Sequence, residues 1–287
     1  MSLKTIVTNV ANEAGYVVEN NIIGSTDVTT KQLKAIASRV SREMAYAYPW
    51  PQMYASGSIT IQSGVSSYPL PAAFSWYHYE TFWNSSTRWR ILGPMSPQEY
   101  AELRGYGLNV TVYQRFQIKG IGNNELFISP TPPSQNNGNV IIFEYIAERS
   151  VKPQDWASGV TFAAGAYTFN DGNYYQTTAG GTSGSTIPTH TSGSASDGGV
   201  TWNYYNGPYN DFLTDTDESV FNEKTLELGV LERFAEIHGL DSVQPRFLAK
   251  LDEDYSKRQH SKIIYAGGHT RAELFARNGT AVFGTWT

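Results

Sequence analysis

Hydrophobic positions along this chain follow two different periods, and the switch between them marks out its elements. Ile6, Val7, Val10, Ala14, Val17 and Val18 fall at helical spacing with polar residues between them, which predicts a first helix within residues 3–20. Asn20-Asn21 and Gly24-Ser25 break that pattern. A second helix is expected from Thr29, where Thr29 and Gln32 fit a capping box. Its inward stripe is Leu33, Ile36, Ala37, Val40 and Met44. Pro49 and Pro51 stop it, with Trp50 between them as a core plug.

From Gly57 the period becomes two. Ile59 and Ile61 alternate with Ser58, Thr60 and Gln62, Ser63-Gly64 turns, and Tyr68 and Leu70 return. Further strands are expected around Tyr79 to Trp83, Trp89 to Leu92, Arg115 to Lys119, Leu126 to Ser129 and Val140 to Tyr145. Ser96-Pro97-Gln98-Glu99 opens a short helix, with a Ser cap, Pro at the first position and Glu at the third. Gly120 to Asn124 reads as a turn and Pro130-Thr131-Pro132-Pro133 as a rigid connector. Together these pieces predict a compact antiparallel sheet or small barrel.

Composition shifts at Trp156. Residues 157–207 are rich in Gly, Ser, Thr and Tyr, and their only carboxylates are Asp171 and Asp197. Strand-like pieces at Val160 to Phe162, Tyr167 to Phe169, Tyr174 to Thr177 and Val200 to Tyr204 alternate with turns at Asn170 to Asn173 and Asp197 to Gly199. A flexible linker does not carry Phe162, Tyr167, Phe169, Tyr174, Tyr175, Trp202, Tyr204 and Tyr205, so the segment reads as a small β module inserted in a loop. Helical patterning then resumes. Asp215 to Glu218 are placed at a helix N-terminus, where acidic residues are favoured. The stripe Val220, Phe221, Leu228, Leu231, Phe234, Ala235 and Ile237 follows and closes at Gly239. Ser242 and Pro245 open a last helix through Phe247, Leu248, Leu251 and Tyr255.

Beyond it, Lys262 to Thr287 carries Tyr265, Phe275, Phe283 and Trp286 among Gly, Asn and Thr, after a Gly267-Gly268 hinge. Those rings are too sparse for a core and costly to leave in water. A frayed terminus is one reading; four large aromatics favour an arm that becomes ordered on a partner. The expected fold is therefore α+β: helical N- and C-terminal segments packed together, an antiparallel β middle, an inserted β module and an extended C-terminal arm. The divisions are a body of residues 1–156 and 208–265, the module 157–207, and the arm 266–287.

Composition narrows the function. A chain of 287 residues can bury an ample core, and its lack of cysteine excludes disulfides, thiolate zinc sites and thiol catalysis. Its net charge of -5 suits poorly a protein that grips phosphates. No apolar run reaches the length of a membrane span, and the polar N-terminus does not fit a signal peptide. Candidate chemistry is thin. His78, His190, His238, His260 and His269 lack metal-ligand spacing. Asp252, Glu253 and Asp254 read as a solvated helix face beside Lys257 and Arg258, and Glu99 and Glu102 as helix-start charges. Thr182 to Ser185 is no nucleophile elbow, and Gly120-Ile121-Gly122 and Gly180-Gly181 lack the lysine and helix of a phosphate loop. No catalytic residue, cofactor or metal is expected.

Two N-terminal helices precede a β-rich middle with G-x-I-x-I-x-x-G-x-x-x-Y-x-L-P (Gly57 to Pro71) and a strand ending in Pro-Thr-Pro (Pro130 to Pro132); C-terminal helices and a tail follow. In that order the chain resembles the head-to-tail adaptors of short-tailed bacteriophages, also called tail tubular protein A or gatekeeper. The likeness covers about residues 1–150 and 210–287, and the inserted module departs from the simplest members. It implies a virion protein of the neck, assembled in the host cytoplasm. Such a protein forms a homo-oligomeric ring of twelve copies between the portal protein and the tail nozzle protein. DNA passes through without specific binding, and no membrane is involved. Twelve copies at -5 each would carry on the order of -60, which repels phosphates if the channel shares that sign. The expected portal-docking arm uses Tyr265, Phe275, Phe283 and Trp286, with Arg271 and Arg277 at the rim. The alternative is a carbohydrate-binding tail or adhesin component. Tyr174, Tyr175, Trp202, Tyr204 and Tyr205 would then stack on sugars, and Asp171, Asn173 and Asp197 would bind hydroxyls.

Overall fold

The computed structural model describes residues 2–78, 80–105, 114–120, 124–239 and 246–261 and combines helices with antiparallel sheets in an α+β fold. Ser2 caps α1 (Leu3–Ala14), and Gly15 ends it at φ 78°, a left-handed position where a Cβ would be strained. Periodicity predicts a helix reaching Val18; the glycine stops it earlier and leaves Val17 on the surface. α2 (Val28–Ala47) is capped by Asp27, whose Oδ2 accepts the Thr30 amide at 2.7 Å and the Thr30 hydroxyl at 2.8 Å. The cap therefore precedes the expected Thr29 box, and Gln32 meets His238 instead, at 3.1 Å. The buried stripe is the expected one, and Trp50 is buried behind it, donating to the Met44 carbonyl at 2.6 Å.

The middle of the chain supplies β1 (Tyr54–Thr60), β2 (Ser67–Pro69), β3 (Phe74–Tyr77), β4 (Trp83–Asn84) and β5 (Trp89–Arg90). Then come α3 (Pro97–Gly105), β6 (Arg115–Lys119), β7 (Glu125–Ser129) and β8 (Val140–Ala147). Of the strand expected around Tyr79 to Trp83, Tyr79 lies outside the described residues and only Trp83 is in a strand, β4, while β3 ends before it. The box opening α3 forms as read: Ser96 N–H donates to Glu99 Oε2 at 2.7 Å, and Glu99 N–H to Ser96 Oγ at 3.2 Å. β8 is the hub of one sheet. β1 lies along one side of it; β4 and β3 share the other side, and β5 flanks β4. A second sheet runs β2-β7-β6. Ile59, Ile61, Phe82, Phe116, Leu126, Ile128 and Phe143 fill the space between the two, with Phe82 stacked on Phe143 at 4.8 Å.

β9 (Val151–Lys152) leads into the insertion. It holds β10 (Thr161–Phe162), β11 (Tyr167–Asn170), β12 (Asn173–Thr177), β13 (Gly181–Thr182), β14 (Ser194–Asp197) and β15 (Val200–Tyr205). The chain leaves through β16 (Glu218–Ser219), which pairs back onto β9. Four of these strands form the sheet β11-β12-β15-β14, and β10 pairs β13. Alternation gives the sheet two working faces. Phe162, Tyr175, Val200 and Trp202 make a small core within the module. Tyr167, Phe169, Tyr174 and Tyr205 point the other way, into the core of the helices. Glycine serves close backbone approach here: a Cβ on Gly181 would lie 2.1 Å from the Gly199 carbonyl oxygen.

α4 (Glu223–His238) is capped by Asn222 and closed by Gly239, and α5 (Phe247–Ser261) packs beside it. α1, α2, α4 and α5 share one core with Leu33, Met44, Trp50, Phe212, Phe221, Phe234 and Phe247. Within it, a Cβ on Gly229 would meet Val40 at 2.6 Å and Phe247 at 2.7 Å, so the glycine sets how closely α4 approaches its neighbours.

Asp215 to Glu218 do not start α4. Asp215 reaches across to the loop after α1, accepting the Ile22 and Ile23 amides at 3.1 and 2.8 Å. Asp217, fully buried, accepts the Leu213 and Thr214 amides at 2.7 and 2.9 Å and the hydroxyls of Tyr209 and Thr214 at 3.0 and 2.6 Å. Asp215 thus ties the segment after the insertion to the loop after α1, while Asp217 holds that segment's own turn together around Tyr209. The expected solvated face on α5 differs at Asp254, which is buried and accepts the Thr225 hydroxyl; Asp252 is exposed as expected and accepts the Tyr48 hydroxyl. Glu253 keeps the expected outward role, paired with Lys250 at 3.0 Å and with Lys257.

Candidate functional site

The proposed arm residues Tyr265, Arg271, Phe275, Arg277, Phe283 and Trp286 lie outside the described residues, as do Ser242 and Pro245. α5, which leads toward the arm, is anchored by Tyr255. That ring stacks on Tyr48 at 4.2 Å and meets Trp50 edge-on at 5.5 Å.

The rings named in the insertion are brought together, but as packing. Tyr175 and Trp202 are fully buried in the module core, and the Tyr175 hydroxyl donates to the His190 carbonyl at 3.0 Å. Tyr174 is buried on the opposite face, its hydroxyl donating to the Val151 carbonyl at 3.0 Å and its ring lying 4.4 Å from the Arg149 guanidinium. Burial holds its ionisation well above the usual tyrosine range. Tyr204 and Tyr205 are half-buried, and the Tyr205 hydroxyl donates to the Pro208 carbonyl at 3.0 Å. Asp197 is buried too: Trp156 and Trp202 donate to its Oδ2 at 2.9 and 3.4 Å, and the Thr186 amide to its Oδ1 at 3.0 Å. Asp171 occupies the tip of the β11–β12 turn at φ 46°, and Asn173 begins β12. Tyr174, Tyr175, Trp202 and Asp197 are thus structural members of the module and its seam. A sugar cannot stack on a ring that is already covered on both faces.

Two exposed apolar surfaces escaped the sequence reading. The first is the outer face of the β8 sheet, defined by register. Ser58, Ile142, Trp83 and Arg90 form one row across four strands, and Tyr54, Ile146 and Trp76 form another. Trp76 is 59% exposed, Trp83 43% and Ile142 46%, and Tyr54 is exposed beside them. Between the rows lies a hollow of about 320 Å³, lined by Ser56, Ser58, Thr81, Ile142 and Glu144. Ser56 Oγ donates to Glu144 Oε1 at 2.7 Å, which fixes that carboxylate in the hollow. At the near end of the hollow Ile146 passes beneath the helical core. Each outer residue was visible in the sequence, but only strand pairing places them on one face.

The second surface is an end of the helical block. α4 runs antiparallel to α2, with Val40 beside Gly229 and Gln32 beside His238. Tyr16, just past α1, packs edge-on against Phe234 at 5.2 Å. The end of α1, the start of α2 and the end of α4 therefore meet, and there Val17 (92% exposed), Val28 (77%) and Ile237 (58%) project outward.

Among the described residues, no group of three or more His, Cys, Asp or Glu side chains is placed to hold a metal. Likewise, no helix there is long and apolar enough to cross a membrane. No protein-family model matches the chain, and no curated protein matches it.

Proposed function

We propose that the chain is a structural virion protein, a head-to-tail adaptor. It forms a ring between the portal and the tail nozzle, lines the DNA exit channel and carries out no catalysis. The observation that supports this reading best is the presence of two unlike exposed apolar surfaces, one on the β8 sheet and one on the helical end. A cyclic ring joins different faces of successive subunits, so each subunit must carry two such surfaces. The element order, with paired helices at both ends of a β body, is the order that the adaptor resemblance rests on. The acidic balance of -5 per chain suits a channel that DNA crosses without sticking. In this reading residues 266–287 dock on the portal through Phe275, Phe283 and Trp286, the anchor type that dominates protein interfaces.

The test is co-sedimentation with portal particles of the full chain and of a chain ending at Tyr265. The full chain should attach, and the shortened one should fold but stay in the supernatant. Full attachment of the shortened chain, or no attachment of either, overturns the reading.

A further inference from the structure

A hollow beside the β4–β5 hairpin is lined by two residues with buried donors that have no acceptor among the described residues. The hairpin, the residue before β6 and the 3-10 turn Ser134–Asn136 converge on it. Its walls include Asn84, Thr87, Trp89, Arg90, Gln114 and Asn136, and it measures about 230 Å³. Arg90 Nε and Gln114 Nε2 are the donors left unbonded. Native folds hold few such groups, because each bears the full cost of leaving water. Both are N–H groups, so what is missing is an acceptor.

Hydrogen bonds hold the walls in place. Asn84 Oδ1 accepts the Ser86 and Thr87 amides, each at 3.1 Å, which closes the hairpin turn. Ser85 Oγ donates to the Val140 carbonyl at 2.9 Å and Ser86 Oγ accepts the Val140 amide at 3.1 Å, tying that turn to β8. Just past β5, the Leu92 amide donates to the Gln114 carbonyl at 3.0 Å. The Gln114 backbone is thereby fixed beside the hairpin, and rotation about its last side-chain torsion is enough to turn the amide toward the hollow.

We propose that this hollow binds one ring of a neutral saccharide. Hydroxyl oxygens of the sugar accept from Arg90 Nε and Gln114 Nε2, and its hydroxyl protons go to the side-chain oxygens of Asn136 and Thr87. Trp89, 49% exposed, supplies an aromatic wall, whose negative ring face suits the weakly positive C–H bonds of a sugar. Charge and size select the class. Among the described lining residues Arg90 alone is charged, and its Nη2 already pairs with Glu80 Oε1 at 3.1 Å. An anion would meet a guanidinium that is already balanced, whereas a neutral polyol needs only the hydrogen bonds. The volume lies below the roughly 300 Å³ at which drug-sized sites begin, so a single ring fills it. Water is the competing occupant.

The test is a titration of the full chain with glucose, galactose, mannose and N-acetylglucosamine, and separately with inorganic phosphate and acetate. Saturation-transfer NMR reads the ligand, and the Trp89 indole signal, identified among the seven tryptophans by Trp89→Phe, reads the site. At least one of the sugars should show transfer and move that signal. Gln114→Ala and Arg90→Lys should each weaken its binding about tenfold, with circular dichroism unchanged from the parent. Tyr204→Phe, in the insertion, should bind as the parent does. No response to any of these sugars leaves water as the occupant and overturns the assignment. So does tighter binding of phosphate or acetate than of any sugar, or sugar binding that Gln114→Ala and Arg90→Lys both leave unchanged.

Discussion

Tyr209 packs against Tyr167 and Tyr174 where the insertion meets the helical core, and Asp217 holds its hydroxyl and the turn beside it. A buried carboxylate is tolerated only where donors surround it, and Asp217 has four. Asp217→Ala leaves two amides and the Tyr209 hydroxyl without an acceptor, so unfolding in urea should show a loss on the order of 3 kcal/mol. Asp217→Asn should recover only part of this, because its amide sets donors against donors. A loss below about 1 kcal/mol for the alanine variant would mean that water replaces those bonds. Burial first, and then the charge of Asp217, push the Tyr209 hydroxyl well above the usual 10.0; burial does the same for Tyr174. The sign follows from linkage. The folded values lie above the unfolded one, so this stabilisation is intact below pH 10 and declines as pH rises beyond it. In an alkaline titration followed by tyrosinate absorbance, a subset of the 19 tyrosines should ionise only as the chain unfolds. Tyr209→Phe should weaken that decline. Ionisation of every tyrosine near pH 10 with circular dichroism unchanged contradicts the burial.

Elements whose signals are local were legible in the sequence. The stripe of α2, the box of α3 and strand β6 depend on neighbours a few residues away, and each lies where the pattern placed it. Two-residue strands such as β4, β5 and β13 are too short to display a period, and only their pairing defines them. Acidic residues misled for a related reason: a carboxylate near a helix start reads as a cap whether it serves that helix or, like Asp215, a loop far away in sequence. The insertion's rings were correctly read as too many for a linker. Which of them face inward follows from the β11-β12-β15 register, which composition does not encode. Because Tyr167 and Tyr174 belong to the helical core, the module should not melt by itself. Tryptophan fluorescence, which includes Trp156 and Trp202, and far-ultraviolet circular dichroism should give coincident transitions. A separate fluorescence transition at lower denaturant would show an autonomous module. Gly229→Ala sets two effects against each other. Helix propensity gains about 1 kcal/mol, while overpacking against Val40 and Phe247 costs about 1–3 kcal/mol. A lower Tm is expected; a rise would show that α2 and α5 yield to the extra methyl.

For the molecule as a whole, the body uses most of its large rings in three cores, and what is left over has a pattern. Among the described residues, part of the exposed apolar surface lies on the β8 sheet and on the helical end, while Leu248, Tyr46, Trp89, Leu213 and Ile187 are exposed elsewhere; further aromatic residues lie in the sequence after α5. The sheet face and the helical end fit contacts between copies, and the residues after α5 fit a different partner. This division predicts that Ile142→Glu disrupts the ring while leaving the arm able to touch the portal, whereas removal of residues 266–287 does the reverse. The decisive measurement is hydrogen exchange of peptides from residues 262–287 in the full chain, with and without portal. Added protection on portal binding, concentrated around Phe275, Phe283 and Trp286, is the expected result. Unchanged exchange of those peptides on bound chains would contradict a portal-docking arm.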